Sequence, residues 1–198
     1  MISALLALAA LSDPRLIFTK SFPQSQPPYV GITLESSGAG EFRTEPDDKQ
    51  PVKFQLTPAE TAAIFELANQ VNLAEKLESP LRVANMGRKT IRYEKAGGAE
   101  EQTYNYTESI QARALTDWFE RISETEQHYL DLERTAKYDK IGVNDVLLQL
   151  QITWERKRLV AASQFVPLLD RIAKNDSYMR IARNRAEALA GTFRVPTP

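Results

Sequence analysis

The chain has 198 residues, of which 42% are hydrophobic and 26% are charged, a composition typical of a globular protein with a sizeable core. Its formal net charge of −1 gives no overall attraction to nucleic acids, so the composition disfavours them as partners. The sequence contains no cysteine, which excludes disulfides, thiolate nucleophiles, iron–sulfur clusters and cysteine-ligated zinc.

The first segment, residues 1–14, contains the apolar run Ile2–Leu11. This run is far shorter than the about 20 residues that a membrane-spanning helix needs, so we expect no integral membrane segment. Its length matches the apolar region of a secretory signal, and Ala7–Ala9 matches a small-x-small cleavage site, although a basic region before it is missing. We expect a periplasmic or secreted protein whose mature chain begins near Ala10. The alternative is a short N-terminal helix on a cytoplasmic protein.

Residues 15–136 are predicted to form an α+β domain, because strand patterns and helix patterns succeed each other along them. Two segments have alternating apolar and polar residues on both sides of a glycine-containing turn, which is typical of β-hairpins. They are Tyr29–Thr44, in which Val30, Ile32, Leu34 and Phe42 share a face, and Thr90–Tyr106. With Arg15–Lys20 and Val52–Leu56 as further strands, we expect an antiparallel sheet of about five or six strands with helices on one face.

The helices of this domain have recognisable starts and apolar stripes. Thr57, Pro58 and Glu60 form a helix-start pattern, with a capping threonine, a proline in the first turn and a glutamate that reaches back. The longest predicted helix is Glu108–Ala136. At about 1.5 Å per residue it is roughly 40 Å long and extends beyond the sheet, so its far end needs another partner.

Residues 137–191 are predicted to be that partner, a C-terminal segment of three helices. Apolar spacing predicts them at Asn144–Leu159, Ser163–Lys174 and Asp176–Ala190. Asp176 is predicted to cap the last helix and Gly191 to end it. We expect residues 192–198 to form a loose tail.

The distribution of charge is uneven. Residues 151–198 hold nine Lys and Arg against four Asp and Glu, whereas residues 1–150 are acidic. The favoured interpretation is that the basic C-terminal helices lie beside the acidic long helix. The alternative is a cytoplasmic nucleic-acid-binding or regulatory protein that uses these helices, with Arg180 and Arg183 as candidate binding residues. The basic patch interleaved with aromatic residues that single-strand binding uses is absent from the sequence.

Four tyrosines on or beside the predicted strands are the other candidate binding residues: Tyr29, Tyr93, Tyr104 and Tyr106. If the sheet face that carries them stays uncovered, they form a binding platform, because tyrosine offers a large contact area at low entropic cost. If helices cover that face, the same residues are core or cross-strand packing residues. We favour the core interpretation and keep the platform as a hypothesis.

The sequence predicts no catalytic residue, no cofactor and no metal site. His128 follows Glu124 by one helical turn but lies on the charged side of its helix, so we expect an exposed structural residue. The turn Asn85–Lys89 combines glycine with two cations, but it lacks the pattern of a phosphate-binding loop. A carboxylate-dependent hydrolase that uses Glu35 and Glu41 across the first hairpin stays an alternative.

Several of these features together resemble uncharacterised exported bacterial proteins with a small hairpin-plus-helix domain of unknown function. They are the hairpin opening Pro28–Ile32, the turn Gly38–Gly40, the helix start Leu56–Glu60 and the repeat of the scheme at Tyr93–Tyr106. The resemblance covers about residues 15–135, and it implies an α+β domain and a cell-envelope location without catalytic residues. We therefore predict an exported, non-enzymatic binding or interaction domain that recognises an unknown protein or small ligand.

Overall fold

The structure is a computed structural model that describes residues 13–195. The predicted signal-like run at residues 1–12 and the end of the predicted tail, residues 196–198, lie outside the described residues. Between these limits six strands and five α-helices follow one another, with a short 3-10 helix, Ala162–Phe165, before the fourth α-helix. They are β1 Arg15–Ser21, β2 Tyr29–Glu35, β3 Ala39–Arg43, β4 Val52–Gln55, α1 Pro58–Gln70, β5 Arg88–Lys95, β6 Gly98–Tyr104, α2 Ile110–Tyr138, α3 Val143–Glu155, α4 Val166–Ala173 and α5 Arg180–Phe193.

The strands form one antiparallel sheet in the order β4-β3-β2-β1-β5-β6. β1 pairs with β2 on one side and with β5 on the other, so each predicted hairpin extends the sheet in its own direction. The first hairpin places Ile32 opposite Phe42, and the second closes through a tight turn with Lys95 opposite Gly98. The predicted α+β fold, an antiparallel sheet with helices on one face and a C-terminal helical segment, is confirmed.

Helices α1 and α2 cover one face of this sheet. Phe18 in the middle of β1 stacks on Phe119 of α2, with ring centres 4.8 Å apart and planes within 2° of parallel. On the neighbouring strand β5, Tyr93 meets Phe65 of α1 edge to face at 6.2 Å. Such aromatic pairs contribute about 0.5–1.5 kcal/mol beyond the burial of their area. The covered face and the two helices enclose the first hydrophobic cluster.

Helix α1 begins where the sequence predicts. The Thr57 side chain accepts a hydrogen bond from the backbone N–H of Glu60, and the Glu60 carboxylate accepts one from the N–H of Thr57, which completes the capping box. The second oxygen of Glu60 accepts the backbone N–H of Ala161 at 3.2 Å. The cap of α1 is therefore also a link to the C-terminal part of the chain.

Helix α2 is continuous over 29 residues and extends past the sheet, as its predicted length requires. Its second half packs with α3, α4 and α5 around a second hydrophobic cluster that includes Leu132, Phe165 and Leu189. Val160 and Ala161, which follow α3, join the first cluster instead. One unbroken helix and one connecting segment therefore cross the junction between the two clusters.

The predicted start of the last helix is wrong. Helix α5 begins at Arg180, with Met179 in the capping position and no side-chain capping bond. A turn intervenes, in which the N–H of Tyr178 donates to the carbonyl of Asn175. Asp176, the predicted cap, does not accept a backbone N–H of α5. Its carboxylate forms an ion pair with the guanidinium of Arg183.

The predicted end of the same helix is also wrong. Helix α5 runs past Gly191 to Phe193, so Thr192 and Phe193 are helical and do not belong to the loose tail predicted for residues 192–198. The ring of Phe193 is buried, and its centre lies 5.1 Å from the ring centre of Trp154 and 6.1 Å from that of Phe165. Because burial of this ring stabilises the last turn, the helix continues past Gly191, although glycine commonly ends helices.

The two preceding helices are shorter than predicted. Helix α3 ends at Glu155 because Lys157 adopts a positive φ of 58°, outside the helical region. The helix predicted over Ser163–Lys174 consists of the 3-10 helix and α4, and Pro167 lies in the first turn of α4, where its missing N–H is not needed.

Candidate functional site

A groove lies between the β1–β2 loop, residues 22–28, and the second half of α2. Its volume is about 1070 Å³, and eight of its thirteen lining residues are polar or charged, although apolar atoms supply the larger part of its exposed surface. We call it the α2 groove. Its lining includes Gln26, Gln127, Asp131, Arg134, Lys137 and Arg171.

The loop that forms one wall of the α2 groove is held in shape by its own hydrogen bonds. The N–H of Phe22 donates to the carbonyl of Pro28 at 2.8 Å, which closes the loop at its base. The hydroxyl of Ser25 lies 2.8 Å from the carbonyl oxygen of Phe22 and 2.7 Å from that of Pro27. The wall is therefore formed before any ligand arrives, which lowers the entropic cost of binding.

Toward the sheet, the α2 groove continues into a recess of about 390 Å³, with which it shares four lining residues. Phe18 and Val30 of the first hydrophobic cluster lie beneath the recess with only 1% and 6% of their surface exposed, and the half-buried Pro27 adds apolar surface beside them. Lys20 and Glu120 line it as an ion pair with 2.9 Å between Nζ and Oε1. The depression thus offers an apolar floor under a charged wall.

The charges of the α2 groove are unevenly distributed along it. Asp131 is paired with Arg134 at 2.8 Å. At the outer end, Lys137 and Arg171 face one further carboxylate, Glu133, and none of these three forms an ion pair within residues 13–195. The outer end therefore keeps an excess of positive charge.

Ser123, His128 and Asp131 all line the recess, yet they do not form a nucleophile–base arrangement. The hydroxyl of Ser123 accepts from the amide of Gln127 at 2.8 Å. Nε2 of His128 lies 2.8 Å from Oγ1 of Thr153 on α3, so the imidazole joins two helices. Burial lowers the pKa of His128 against the opposing effect of two neighbouring carboxylates. The prediction that His128 is exposed is wrong, because the residue is half-buried and its ring contacts Thr153 of α3.

The four candidate tyrosines do not share one surface. Tyr93 and Tyr104 lie on the helix-covered face and are 4% and 3% exposed. The Tyr93 hydroxyl donates to Asn69 of α1 at 3.1 Å, and burial raises the pKa of Tyr104 to about 12. Tyr29 lies on the opposite face, and Tyr106 follows the end of β6. The platform hypothesis therefore fails for Tyr93 and Tyr104, which are core residues.

On the open face, Tyr29 is half-buried and its ring folds back over Gly31, where a Cβ would come within 2.9 Å of the hydroxyl. Partial burial raises the pKa of Tyr29, and the nearby cation Arg43 opposes this. The rest of this face is polar, with charged pairs such as Arg15 with Glu94 at 2.6 Å. It does not offer an aromatic platform.

The two candidate arginines differ in their surroundings. Arg180 is exposed in the first turn of α5, whereas Arg183 is half-buried and paired with Asp176. Among the basic residues beyond position 150, Arg158 meets the acidic long helix, where it binds Glu124 at 2.6 Å and Asp117 at 3.0 Å. The favoured interpretation of the charge asymmetry therefore holds for Arg158, while Arg180 stays available at the surface.

Neither Glu35 nor Glu41 lines the α2 groove or the recess, and Glu41 is paired with Arg43. The lysine at the end of the predicted turn Asn85–Lys89 lies in β5 and is bound within the protein. Lys89 is 6% exposed, and its ammonium lies 3.1 Å from the carbonyl of Asn105 and near two further carbonyls. Burial lowers the pKa of Lys89.

Helix α2 also buries a carboxyl group away from the groove. Glu126 is fully inaccessible, and its Oε1 accepts from the amide of Gln164 at 2.8 Å. Its Oε2 has no hydrogen-bond partner in the described part of the chain. Burial raises the pKa of Glu126 to about 7, and the bond from Gln164 opposes this. Next to it, Thr125 accepts the N–H of Val160 at 3.1 Å, so these polar contacts lie at the junction of the two clusters.

The sequence contained a signal for Glu126 that our reasoning missed. Glu126 follows Ile122 by four residues and precedes Tyr129 by three, so it stands inside the apolar stripe of its helix. A carboxylate at such a position is either buried or interrupts the stripe. The α2 groove had no comparable signal, because its walls are about one hundred residues apart in the chain.

Comparisons of the chain with protein-family models, with curated proteins and with solved structures found no match. Within residues 13–195, no cluster of three or more His, Asp or Glu side chains is placed to hold a metal ion. None of the helices found in that range combines the length and the apolar character that crossing a bilayer demands.

Proposed function

We propose that this chain is a binding domain that holds an extended peptide segment in the α2 groove. The observation that carries the proposal is the groove itself, a preformed depression of about 1070 Å³ between a braced loop and a rigid helix. Preformed concave sites with a few placed polar groups are the usual form of ligand sites in proteins.

The dimensions of the α2 groove suit an extended chain. Together with the recess, it follows α2 from Glu120 to Tyr138. At about 1.5 Å per residue this stretch is roughly 27 Å long, which corresponds to about eight residues of extended peptide at about 3.3 Å each. Gln26 and Gln127, which line both parts, carry carboxamides that can donate to and accept from a peptide backbone.

The charges of the α2 groove suggest the chemistry of the peptide. Lys137 and Arg171 outnumber Glu133 at the outer end, which favours a peptide with a carboxylate there. Pro27, with Phe18 and Val30 beneath the recess, favours an apolar side chain at the other end. The proposed ligand is therefore a peptide with one acidic end and one apolar residue.

We expect peptides selected from a random display library on the full chain to carry this pattern. The double substitution Lys137→Glu and Arg171→Glu should weaken a selected peptide by about tenfold, because two attractive contacts at the rim become repulsive. Fluorescence anisotropy of the labelled peptide measures this change. Arg113→Glu, an exposed charge reversal at the other end of α2, is the matched control and should leave the affinity unchanged.

If no sequence is enriched, or if enriched peptides bind the double variant and the control alike, the α2 groove is not a peptide site. Hydrolysis of the peptide during the measurement would favour the alternative of a hydrolase. Loss of hydrolysis in the variants Glu35→Gln and Glu41→Gln would then show that these predicted carboxylates are needed for the activity.

We also propose that the chain is exported, on the basis of the apolar run Ile2–Leu11 and the small-x-small pattern that it contains. In cells that express the full chain, the protein is expected outside the cytoplasm with a new N-terminus near Ala10. Fractionation followed by N-terminal sequencing measures both. An intact chain in the cytoplasm would contradict the proposal and leave the cytoplasmic alternative.

A further inference from the structure

Two corners of the helical segment lie side by side at one end of the molecule. They are the α2–α3 corner, residues 137–142, and the α4–α5 corner, residues 174–181. The hydroxyl of Tyr178 in the second corner donates to the carbonyl of Ala136 at the base of the first, at 2.7 Å. The ammonium of Lys140 lies 5.9 Å from the centre of the Tyr178 ring. These contacts place both corners on one surface, which we call the helical tip.

The helical tip exposes large apolar side chains that nothing covers within the described part of the chain. Tyr138 is 73% exposed, Ile141 77%, Met179 43% and Ile181 56%. Isolated exposed apolar residues are ordinary on protein surfaces, but several on two adjoining corners mark a surface that contacts an apolar phase or a partner.

The same surface is cationic. Its exposed cations are Lys137, Lys140, Lys174 and Arg180, and none of them forms an ion pair among residues 13–195. Only two carboxylates lie in these corners. Asp176 is paired with Arg183, and Asp139 accepts the N–H of Gly142 at 3.0 Å. The helical tip therefore presents apolar side chains among four cations that outnumber its one carboxylate without an ion pair in the described part of the chain, Asp139.

We propose that the helical tip docks on the surface of an anionic lipid bilayer. Apolar side chains that enter the interface and Lys or Arg side chains that meet the headgroups are the two components of peripheral membrane binding. A single-stranded nucleic acid would use the cations and could stack on Tyr138, but it leaves Ile141 and Ile181 without a role. The lysine stems allow the ammonium groups to reach the headgroups while their methylenes lie against apolar surface.

The helical tip shares Lys137 and Tyr138 with the α2 groove, but Lys140, Ile141, Arg180 and Ile181 lie outside the lining of the groove. Substitutions at these residues therefore test the helical tip alone. All four side chains are exposed, so their replacement is expected to leave the fold intact.

Vesicle flotation with the full chain tests the proposal. We expect binding to vesicles of phosphatidylcholine mixed with phosphatidylglycerol, and much weaker binding to vesicles of phosphatidylcholine alone. The double variant Lys140→Glu and Arg180→Glu should lose at least about 25-fold in partition coefficient, at about fivefold for each cation near an anionic surface. Ile141→Asp with Ile181→Asp should lose at least about tenfold.

Matched controls separate the helical tip from general effects of charge and apolarity. Leu81→Asp with Val83→Asp changes two exposed apolar residues of a distant loop, and Arg113→Glu changes an exposed cation at the far end of α2. Both should bind vesicles like the parent chain. Every variant keeps residues 1–12, so any contribution of that apolar run is the same throughout.

Equal vesicle binding by the parent chain and both tip variants would overturn the proposal, as would failure of the parent chain to bind anionic vesicles. A labelled single-stranded oligonucleotide supplies the remaining arm. If the oligonucleotide binds and loses affinity with Lys140→Glu and Arg180→Glu, while vesicle binding does not change, the surface is a nucleic-acid site and the lipid proposal is wrong.

Discussion

Replacing Glu126 with glutamine is expected to raise the free energy of unfolding at about pH 8 by up to about 3 kcal/mol and to leave it nearly unchanged at about pH 4. Burial holds the pKa of Glu126 at about 7, against 4.5 for an unperturbed carboxyl. Each unit of difference corresponds to about 1.36 kcal/mol. The neutral amide of glutamine avoids this cost and keeps the acceptor oxygen that Gln164 uses.

The direction follows from proton linkage. Between the two pKa values the native state holds a proton on Glu126 that the unfolded chain releases, so stability falls as the pH rises through this range. The contribution of Glu126 is fully present below about pH 4.5, is lost as the pH approaches about 7, and is constant above that. Urea denaturation of the parent and the Glu126→Gln chain across this range measures the difference between their free energies of unfolding. Because all other groups titrate alike in both chains, their contributions cancel in this difference.

Glu133→Gln is the matched control, because Glu133 lies exposed on the same helix. Its unfolding curves should follow the parent chain at every pH. If the stability of the Glu126→Gln chain keeps a constant offset from that of the parent between about pH 4 and pH 8, the buried carboxyl does not titrate near neutrality.

Much of the fold was predictable because period-two and helical patterns are local. Ile32 and Phe42 were assigned to one face from alternation alone, and they stand opposite each other in the sheet. The same rule also applies to the tyrosines. Tyr93 lies two residues after Ile91, so it shares the apolar face, whereas Tyr29 precedes Val30 and lies on the other face. Treating the four tyrosines as residues of one sheet face overlooked this alternation.

Tertiary contacts decided what local signals did not. Asp176 is a residue type that commonly caps helices, but its carboxylate is paired with Arg183. Helix α5 continues beyond Gly191 because the ring of Phe193 is buried in the second cluster. The α2 groove depends on where the β1–β2 loop settles relative to a helix about one hundred residues later. The residue pattern of a single segment does not predict how far apart two such distant segments lie in the fold.

Phe165→Ala is expected to lower the free energy of unfolding of the whole chain by about 3–5 kcal/mol, and to lower it equally for both hydrophobic clusters. Phe165 is fully buried in the second cluster, where it meets Tyr129 and Phe193 edge to face at 5.6 and 6.1 Å. Removing its ring leaves a cavity among these aromatic side chains. The cost of such a cavity adds to the lost burial of the ring.

The chain provides a separate probe for each cluster. Trp118 packs against the first cluster and Trp154 against the second. The Trp154→Phe chain keeps only Trp118 and reports on the first cluster, whereas the Trp118→Phe chain keeps only Trp154 and reports on the second. We expect coincident urea transitions for the two chains, and the same shift in both when Phe165→Ala is added. The reason is that α2 runs unbroken through both clusters, while Thr125 and Glu60 bind the segment that follows α3. Two separate transitions, with only the Trp154 signal moved by Phe165→Ala, would instead show that residues 15–136 and the C-terminal helices unfold as independent units.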